Sequence, residues 1–520
     1  MSMSSAVSNV SPRPATRREW WGLAVLVLPT LLLALDMTVL HLAAPHLSAD
    51  LQPSSTELLW ILDIYGFMIA GFLITMGTLG DRIGRRRLLL AGAFAFGVAS
   101  VLAAMSTSAS MLIVTRALLG IAGATLMPST LSLIRNMFHV ERERTVAITV
   151  WMTGFIVGSA IGPLVGGALL QFFPWGAVFL LGVPVMLVLL IAGPLLLPEF
   201  RDEAAGALDL PSALQCVTMM LTVIFGIKSI ARDGVSLLAG GAIALGVVIG
   251  VLFVRRQRCL AQPMFDLALF ANRGFSASVT AMLLTILALS GTWLMIFQYL
   301  QGVLGLSPLE AGIVMLPPAL MQVAASMWVP RLARRFPPAQ LVSAGLLLAL
   351  PGFVAMMLVG GPASVWLLVG GALLMGVGVM PMMILGTDLV VGAAPPTKTG
   401  AAAATSETAS ELGMALGIAI IGSVGAAVYR RQMLDTLPAE LPPMLAAAAV
   451  DTLGGALGAV QQLPPPLAEA LLNSARNAFS EALHVNAVIG AVIMVATAVI
   501  AAVFLRRSPV AVDGQAGRQH

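Results

Sequence analysis

The chain has 520 residues, of which 58% are hydrophobic and only 10% charged, with a mean hydropathy of +0.96. So few polar side chains cannot cover a water-soluble particle of this size, and the composition requires a polytopic membrane protein. The formal net charge of +4 does not point to nucleic acid, because the arginines fall in short loops between apolar runs, where they set topology.

Residues 1–19 form a polar cytoplasmic tail with Arg13, Arg17 and Arg18. The apolar run after it is too long and too acid-bearing for a cleaved signal, so the first span is expected to stay as an anchor. Runs at about 20–43, 58–79, 88–106, 110–134, 145–170 and 177–197 predict six transmembrane helices, a bundle over 20–197. A cytoplasmic linker at 198–209 precedes an inserted helix pair at 210–230 and 235–254, within 210–254, and a second linker at 255–273. Six more runs near 274–300, 309–329, 339–359, 363–386, 401–428 and 485–505 make a C-terminal six-helix bundle over 274–505, followed by a tail at 506–520. The expected fold is therefore all-α, with 14 transmembrane helices arranged as 6+2+6. Between the last two spans, residues 430–483 are too broken by proline for a span and read as an extracellular segment with two short helices in a hairpin. With both termini cytoplasmic, Lys228, Arg232, Arg430, Arg431 and Arg476 fall outside, Arg116 falls within the fourth span, and the rest of the 28 Lys and Arg fall inside.

Ionisable residues inside spans are the functional candidates, because burying them is costly unless they face a cavity or a partner. The first span carries Asp36, either a proton site or a carboxyl hydrogen-bonded to a neighbouring helix, and His41, which reads as an interface histidine. The second span carries Asp63, one turn from Trp60 and one turn from Phe67 on the same face. It ends in a turn containing Gly77, Asp81, Arg82, Gly84, Arg85 and Arg86. In the fourth span Arg116 needs a carboxylate, and Asp36 is the nearest sensible partner, as a structural pair or as a proton-coupled switch. The fifth span presents Gly154, Gly158, Gly162, Pro163, Gly166 and Gly167, a small-residue face suited to close helix packing. The thirteenth span carries Glu407 and Glu411, four apart and hence on one face.

A faint repeat supports two related halves. The loop Pro330-Arg331-Leu332-Ala333-Arg334-Arg335 stands to its flanking spans as Asp81-Arg82-Ile83-Gly84-Arg85-Arg86 does to the second and third. The turn from Gly77 to Arg87 resembles the signature loop of the major facilitator superfamily. With Leu35-Asp36-Met37-Thr38-Val39, Trp60 to Gly71, Leu112 to Gly123, the fifth-span glycines and Thr405-Ser406-Glu407-Thr408, the chain resembles the fourteen-helix drug:proton antiporters. Within them it is most similar to quaternary-ammonium-compound exporters of the QacA and SmvA type. It departs from that pattern at His41, where many relatives have Asn, and at Pro330, where they have an acid.

The resemblance implies proton-driven efflux, by alternating access, of lipophilic mono- and divalent cations such as quaternary ammonium compounds, biguanides and cationic dyes, from the bacterial cytoplasmic membrane. It implies proton coupling through Asp36, Arg116 and Glu407, a conformational latch in the loop after the second span and an antiporter motif in the fifth. The residues agree: the carboxyls Asp36, Asp63, Glu407 and Glu411 face few cations within the spans, and an anionic cavity selects cations. Trp60, Tyr65, Phe67, Trp151, Trp293, Phe297 and Tyr299 offer ring faces for a cation or serve ordinary packing. The 29 methionines add adaptable apolar surface.

Cys216 and Cys259 supply neither a disulfide framework nor metal-ligand spacing, no catalytic constellation is present, and no phosphate-binding Gly-rich loop points to ATP. The expected protein is a monomer in the lipid bilayer that uses protons and small-molecule cations, without metal or cofactor, and is not an enzyme. Two alternatives stay open: export of an endogenous solute such as an amine, amino acid or siderophore, and a non-transporting membrane sensor or scaffold.

Overall fold

The computed structural model describes residues 14–201, 208–260, 263–360, 364–395, 398–438 and 440–505. Most of the expected N-terminal tail, the middle of the 198–209 linker and the C-terminal tail lie outside the described residues. The described residues form helices and no strand, and 14 helices are long and apolar enough to cross a bilayer.

The first half comprises α1 (Arg17–Leu51), α2 (Ser55–Ile83), α3 (Arg85–Ala104), α4 (Ala109–Met137) and α5 (Glu141–Phe172). Its sixth span is broken into α6 (Ala177–Leu180) and α7 (Gly182–Leu196). Local sequence sets the ends. α2 begins on a capping box in which the Ser54 hydroxyl accepts from the Glu57 amide and the Glu57 carboxylate accepts from the Ser54 amide at 3.0 Å. It ends at Gly84, whose φ of +114° only glycine adopts without strain.

The inserted pair is α8 (Leu210–Asp233) and α9 (Leu237–Cys259). The second half runs through α10 (Arg273–Gln298), α11 (Pro308–Val314), α12 (Leu316–Ala333), α13 (Pro338–Met357), α14 (Ser364–Gly392) and α15 (Thr399–Thr436). After α16 (Pro443–Asp451) and α17 (Leu453–Val460), α18 (Pro465–Phe504) completes the last span. Two short helices thus do stand between the last two spans, but much of the stretch 430–483 extends the long helices on either side. It is packed, too: Tyr429 donates to the Ala449 carbonyl at 2.9 Å, Arg430 pairs with Asp451 at 2.6 Å, and α17 lies against α1.

Within the first half α1 packs on α5 and α2 on α4; in the second, α10 packs on α15 and α13 on α14 and α18. The inserted α8 leans on both halves at once, touching α2 and α15, and α9 packs against α8. The halves close on each other at the end remote from the arginine loops. There the Gln301 amide, in a π-helical turn at Tyr299–Val303, donates to the Leu42 carbonyl at 3.0 Å. Gly167 of α5 sits so near α11 that an added methyl would lie 2.5 Å from the Pro308 carbonyl oxygen.

Candidate substrate and proton site

The central cavity lies where α1, α2 and α4 of one half face α15 of the other. His41, Asp63, Tyr65 and Arg116 line one side, Met414 and Ile418 the other. Its volume is about 20 Å³, room for roughly one water molecule. In this state no organic cation fits there, so a substrate-sized chamber requires the halves or α8 to move.

Arg116 is 1% exposed, and its Nη1 donates to Asp36 Oδ2 at 2.8 Å. Its Nε donates to the Ile61 carbonyl at 3.2 Å, and its guanidinium carbon lies 4.5 Å from the Tyr65 ring centroid. One side chain thus ties α4 to α1 and α2. The face of Tyr65 expected to meet a substrate is taken by this arginine.

Asp63 is fully buried, and here the structure corrects the sequence reading twice. Lys228 does not lie outside the bilayer: it sits more than a turn inside α8, which ends at Asp233, and its Nζ lies 2.7 Å from Asp63 Oδ2. The same ammonium lies 3.8 Å from the Trp60 ring centroid. The spans therefore do hold a cation that neutralises Asp63, and the cavity is less anionic than four unpaired carboxyls would make it. The available signal was Asp63 itself, since a buried carboxylate demands a counter-charge and Lys228 stands inside the expected span 210–230. Phe67 is wholly buried among Cys216, Met220, Ala415 and Ala419, which places its ring in the contact of α2 with α8 and α15 and away from the cavity.

Glu407 and Glu411 lie on the face of α15 that also presents Met414, Ala415 and Ile418 to the cavity, at helical spacings. Glu411 is buried, its Oε2 has no hydrogen-bond partner among the described residues, and Glu407 is half-buried. Trp293 and Phe297 stack on each other with centroids 6.0 Å apart in α10, and Trp151 donates to Thr130 at 3.2 Å, so these rings serve packing in this state.

The loop after α2 is organised by two carboxylates. Asp81 accepts from Arg85 Nε at 2.7 Å and pairs with its Nη2 at 2.6 Å, while Arg85 Nη1 donates to the Pro128 carbonyl at 3.3 Å. At the start of α3 the Arg86 N–H donates to Glu199 Oε1 at 3.0 Å. Arg86 Nη1 donates to the Leu197 carbonyl at 2.9 Å, and Arg82 is exposed. Gly84 packs directly against Glu199, and Gly77 lies near Pro128. Each of these partners belongs to the first half or to Glu199 at its end, so among the described residues these contacts do not bridge to the second half.

The small-residue face of α5 has two targets. Gly154, Gly158, Gly162 and Gly166 face α1, where a methyl on Gly158 would lie 2.4 Å from the Leu31 carbonyl oxygen. Pro163 and Gly167 face α11, and a methyl on Gly312 would lie 2.4 Å from the Pro163 carbonyl oxygen.

Two helix bundles that meet around a central cavity bearing carboxylates, with basic loops at one end, define a polytopic membrane transporter. The sequence model of the Major Facilitator Superfamily matches residues 26–418, and the chain belongs to that superfamily. It is 45% identical over 490 residues to the multidrug efflux pump LfrA of Mycolicibacterium smegmatis, covering 94% of this chain and 97% of the relative. It is 37% identical over 472 residues to the methyl viologen resistance protein SmvA of Salmonella typhimurium, covering 89% and 93%. Among solved structures, the crystal structure of a bacterial homologue of the human lysosomal transporter Spinster, inward-facing and unoccupied, superposes with a TM-score of 0.60 at 18% identity, covering 95% of this chain and 98% of that one. That likeness concerns the fold alone. With its efflux relatives, the superfamily places the chain among multi-pass drug-efflux transporters.

Proposed function

We propose that this protein is a proton-coupled antiporter that exports lipophilic mono- and divalent cations by alternating access, from a bacterial cytoplasmic membrane with both termini inside. The observation that carries the reading is a cavity between the halves lined by Asp63 and by Arg116, the partner of Asp36, and bounded by the α15 face on which Glu407 and Glu411 lie. Methyl viologen, named for one relative, is a bis-quaternary dication, the charge class such a cavity would select. Asp36 and Arg116 form the proton switch: a proton on Asp36 weakens its hold on Arg116 and changes the packing of α1 on α4. Trp60 and Asp63 form a cation seat, and the α15 glutamates supply further negative charge.

The test is export of ethidium from proteoliposomes with an imposed pH gradient. Accumulation that collapses when a proton ionophore is added supports the reading. Transport indifferent to the gradient, or confined to an uncharged or anionic solute, overturns it.

A further inference from the structure

Lys228 is held as a bound organic cation would be held. Its ammonium meets a carboxylate at 2.7 Å on one side and an indole face at 3.8 Å on the other, with its side chain fully buried. A carboxylate beside an aromatic face is the pairing that binds a quaternary or delocalised cation. The pair also stands between two cavities. Asp63 lines the central one, whereas Lys228 lines a second, of about 10 Å³, bounded by Ser55, Leu59, Ser423 and Arg430 towards the end remote from the arginine loops. Asp63 Oδ1 has no hydrogen-bond partner among the described residues, which leaves the carboxylate able to take a further donor or cation. Lys228 itself sits on neither half: it comes from the inserted α8, which touches both.

We infer that Lys228 is a built-in occupant of the cation seat formed by Trp60 and Asp63, a tethered plug that a cationic substrate must displace, with α8 moving away as the seat is taken. The inference rests on the reading of Asp63 as a substrate-binding carboxylate and assigns a specificity role to the inserted pair, whose helices lie outside the two bundles. A seat filled by its own chain excludes cations of low affinity and stays neutral while idle. A substrate enters only when its own contacts exceed those of the lysine, which favours bulky apolar cations over small hydrated ones.

The experiment measures ethidium binding to the purified full-length protein in lipid nanodiscs, for the parent, Lys228→Met, Asp63→Asn and the double variant. Removing the plug should lower the Kd of Lys228→Met by about ten-fold or more, since the competent seat no longer has to be vacated, and Asp63→Asn should cancel the gain. An unchanged or weaker Kd in Lys228→Met, with Asp63→Asn weakened in the parent background, overturns the plug and leaves the Asp63 seat standing. Indifference of ethidium binding to Asp63→Asn in both backgrounds overturns the seat and the plug together.

A second measurement needs no variant. Lys228 and Lys398 are the only lysines in the chain, and the Lys398 side chain is 40% exposed, which makes it an internal reference. Acylation of the native protein by a small amine reagent, read by mass spectrometry, should modify Lys398 and spare Lys228. Saturating ethidium should raise the Lys228 to Lys398 labelling ratio several-fold. A ratio that stays constant or falls overturns the proposal.

Discussion

Arg116 holds Asp36 at 2.8 Å with one arm of its guanidinium and the Ile61 carbonyl at 3.2 Å with its Nε, so α1, α2 and α4 meet on a single buried side chain. A charge buried this deeply stays in place only while its counter-charge does, because stranding one member of such a pair costs about 3–5 kcal/mol. Protonating Asp36 would therefore redistribute the packing of three helices at once.

Asp36→Asn keeps the shape and removes the titratable charge. It should insert and fold, bind ethidium, and equilibrate it downhill, yet fail to concentrate it when a pH gradient is imposed on proteoliposomes. Accumulation above the passive level in that variant would show that the coupling proton rides elsewhere.

The contact between α5 and α11 makes a prediction about conformation. A methyl on Gly167 or Gly312 would press within 2.5 Å of carbonyl oxygens across the seam between the halves, and overpacking of this kind costs about 1–3 kcal/mol. Gly167→Ala or Gly312→Ala should thus shift the balance towards the state open at that end by about 5- to 150-fold. Spin-label distances between the end of α1 and α11 should lengthen. Gly158→Ala, which presses on α1 within its own half, should lower thermal stability and leave that distance unchanged.

How much of this was legible in the sequence depends on the range of the interaction involved. The spans were readable because each apolar run is a local property, and the partnership of Asp36 with Arg116 followed because a buried guanidinium admits few alternatives. The turn at Gly80 to Arg87 was readable as a motif, but its wiring was not: Glu199 lies far along the chain and accepts the Arg86 amide at the start of α3. Lys228 was misplaced because a charge near the end of an apolar run was assigned to the loop beyond it, whereas the helix continues until its hydrogen bonds end, at Gly234 with φ +78°. Phe67 and Tyr65 shared a helix face or turn with Asp63, but only the tertiary packing decides that one ring lies against α8 and the other under Arg116.

The loop after α2 is expected to act on turnover. The two contacts from Arg85 to Asp81 fix the corner between α2 and α3, and charge-assisted bonds of this kind contribute about 1.5–3 kcal/mol. As a proposed latch, the corner would meet the second half only in the alternate state, so Asp81→Ala should lower the ethidium transport rate about ten-fold while Kd moves by less than about two-fold. Weakened binding at unchanged turnover would place Asp81 in the substrate path instead.

The α15 glutamates bear on the charge of the substrate. Glu407 and Glu411 share the face that presents Met414 and Ile418 to the cavity, and neither makes an ion pair among the described residues, whereas Asp36 and Asp63 each have a cation of the chain's own. Two carboxyls one turn apart in a poorly solvated place cannot both ionise cheaply, so a proton shared between them and a second positive charge on the substrate are alternatives. Moving one positive charge outward against an inside-negative potential costs about 2.3 kcal/mol per 100 mV, and a dication costs twice that unless more protons enter in return. The proposed division of labour gives Asp36 a proton for every substrate and reserves Glu411 for the second charge. Glu411→Gln keeps the volume and the hydrogen-bonding capacity of the side chain but cannot carry the charge. It should leave ethidium export within about two-fold of the parent and reduce export of methyl viologen by about ten-fold or more, the loss of one charge-assisted contact. Parallel assays of the two cations in the same proteoliposome preparation decide the matter: a proportional loss of both would make Glu411 a structural residue of α15, and retention of both would remove it from the substrate path.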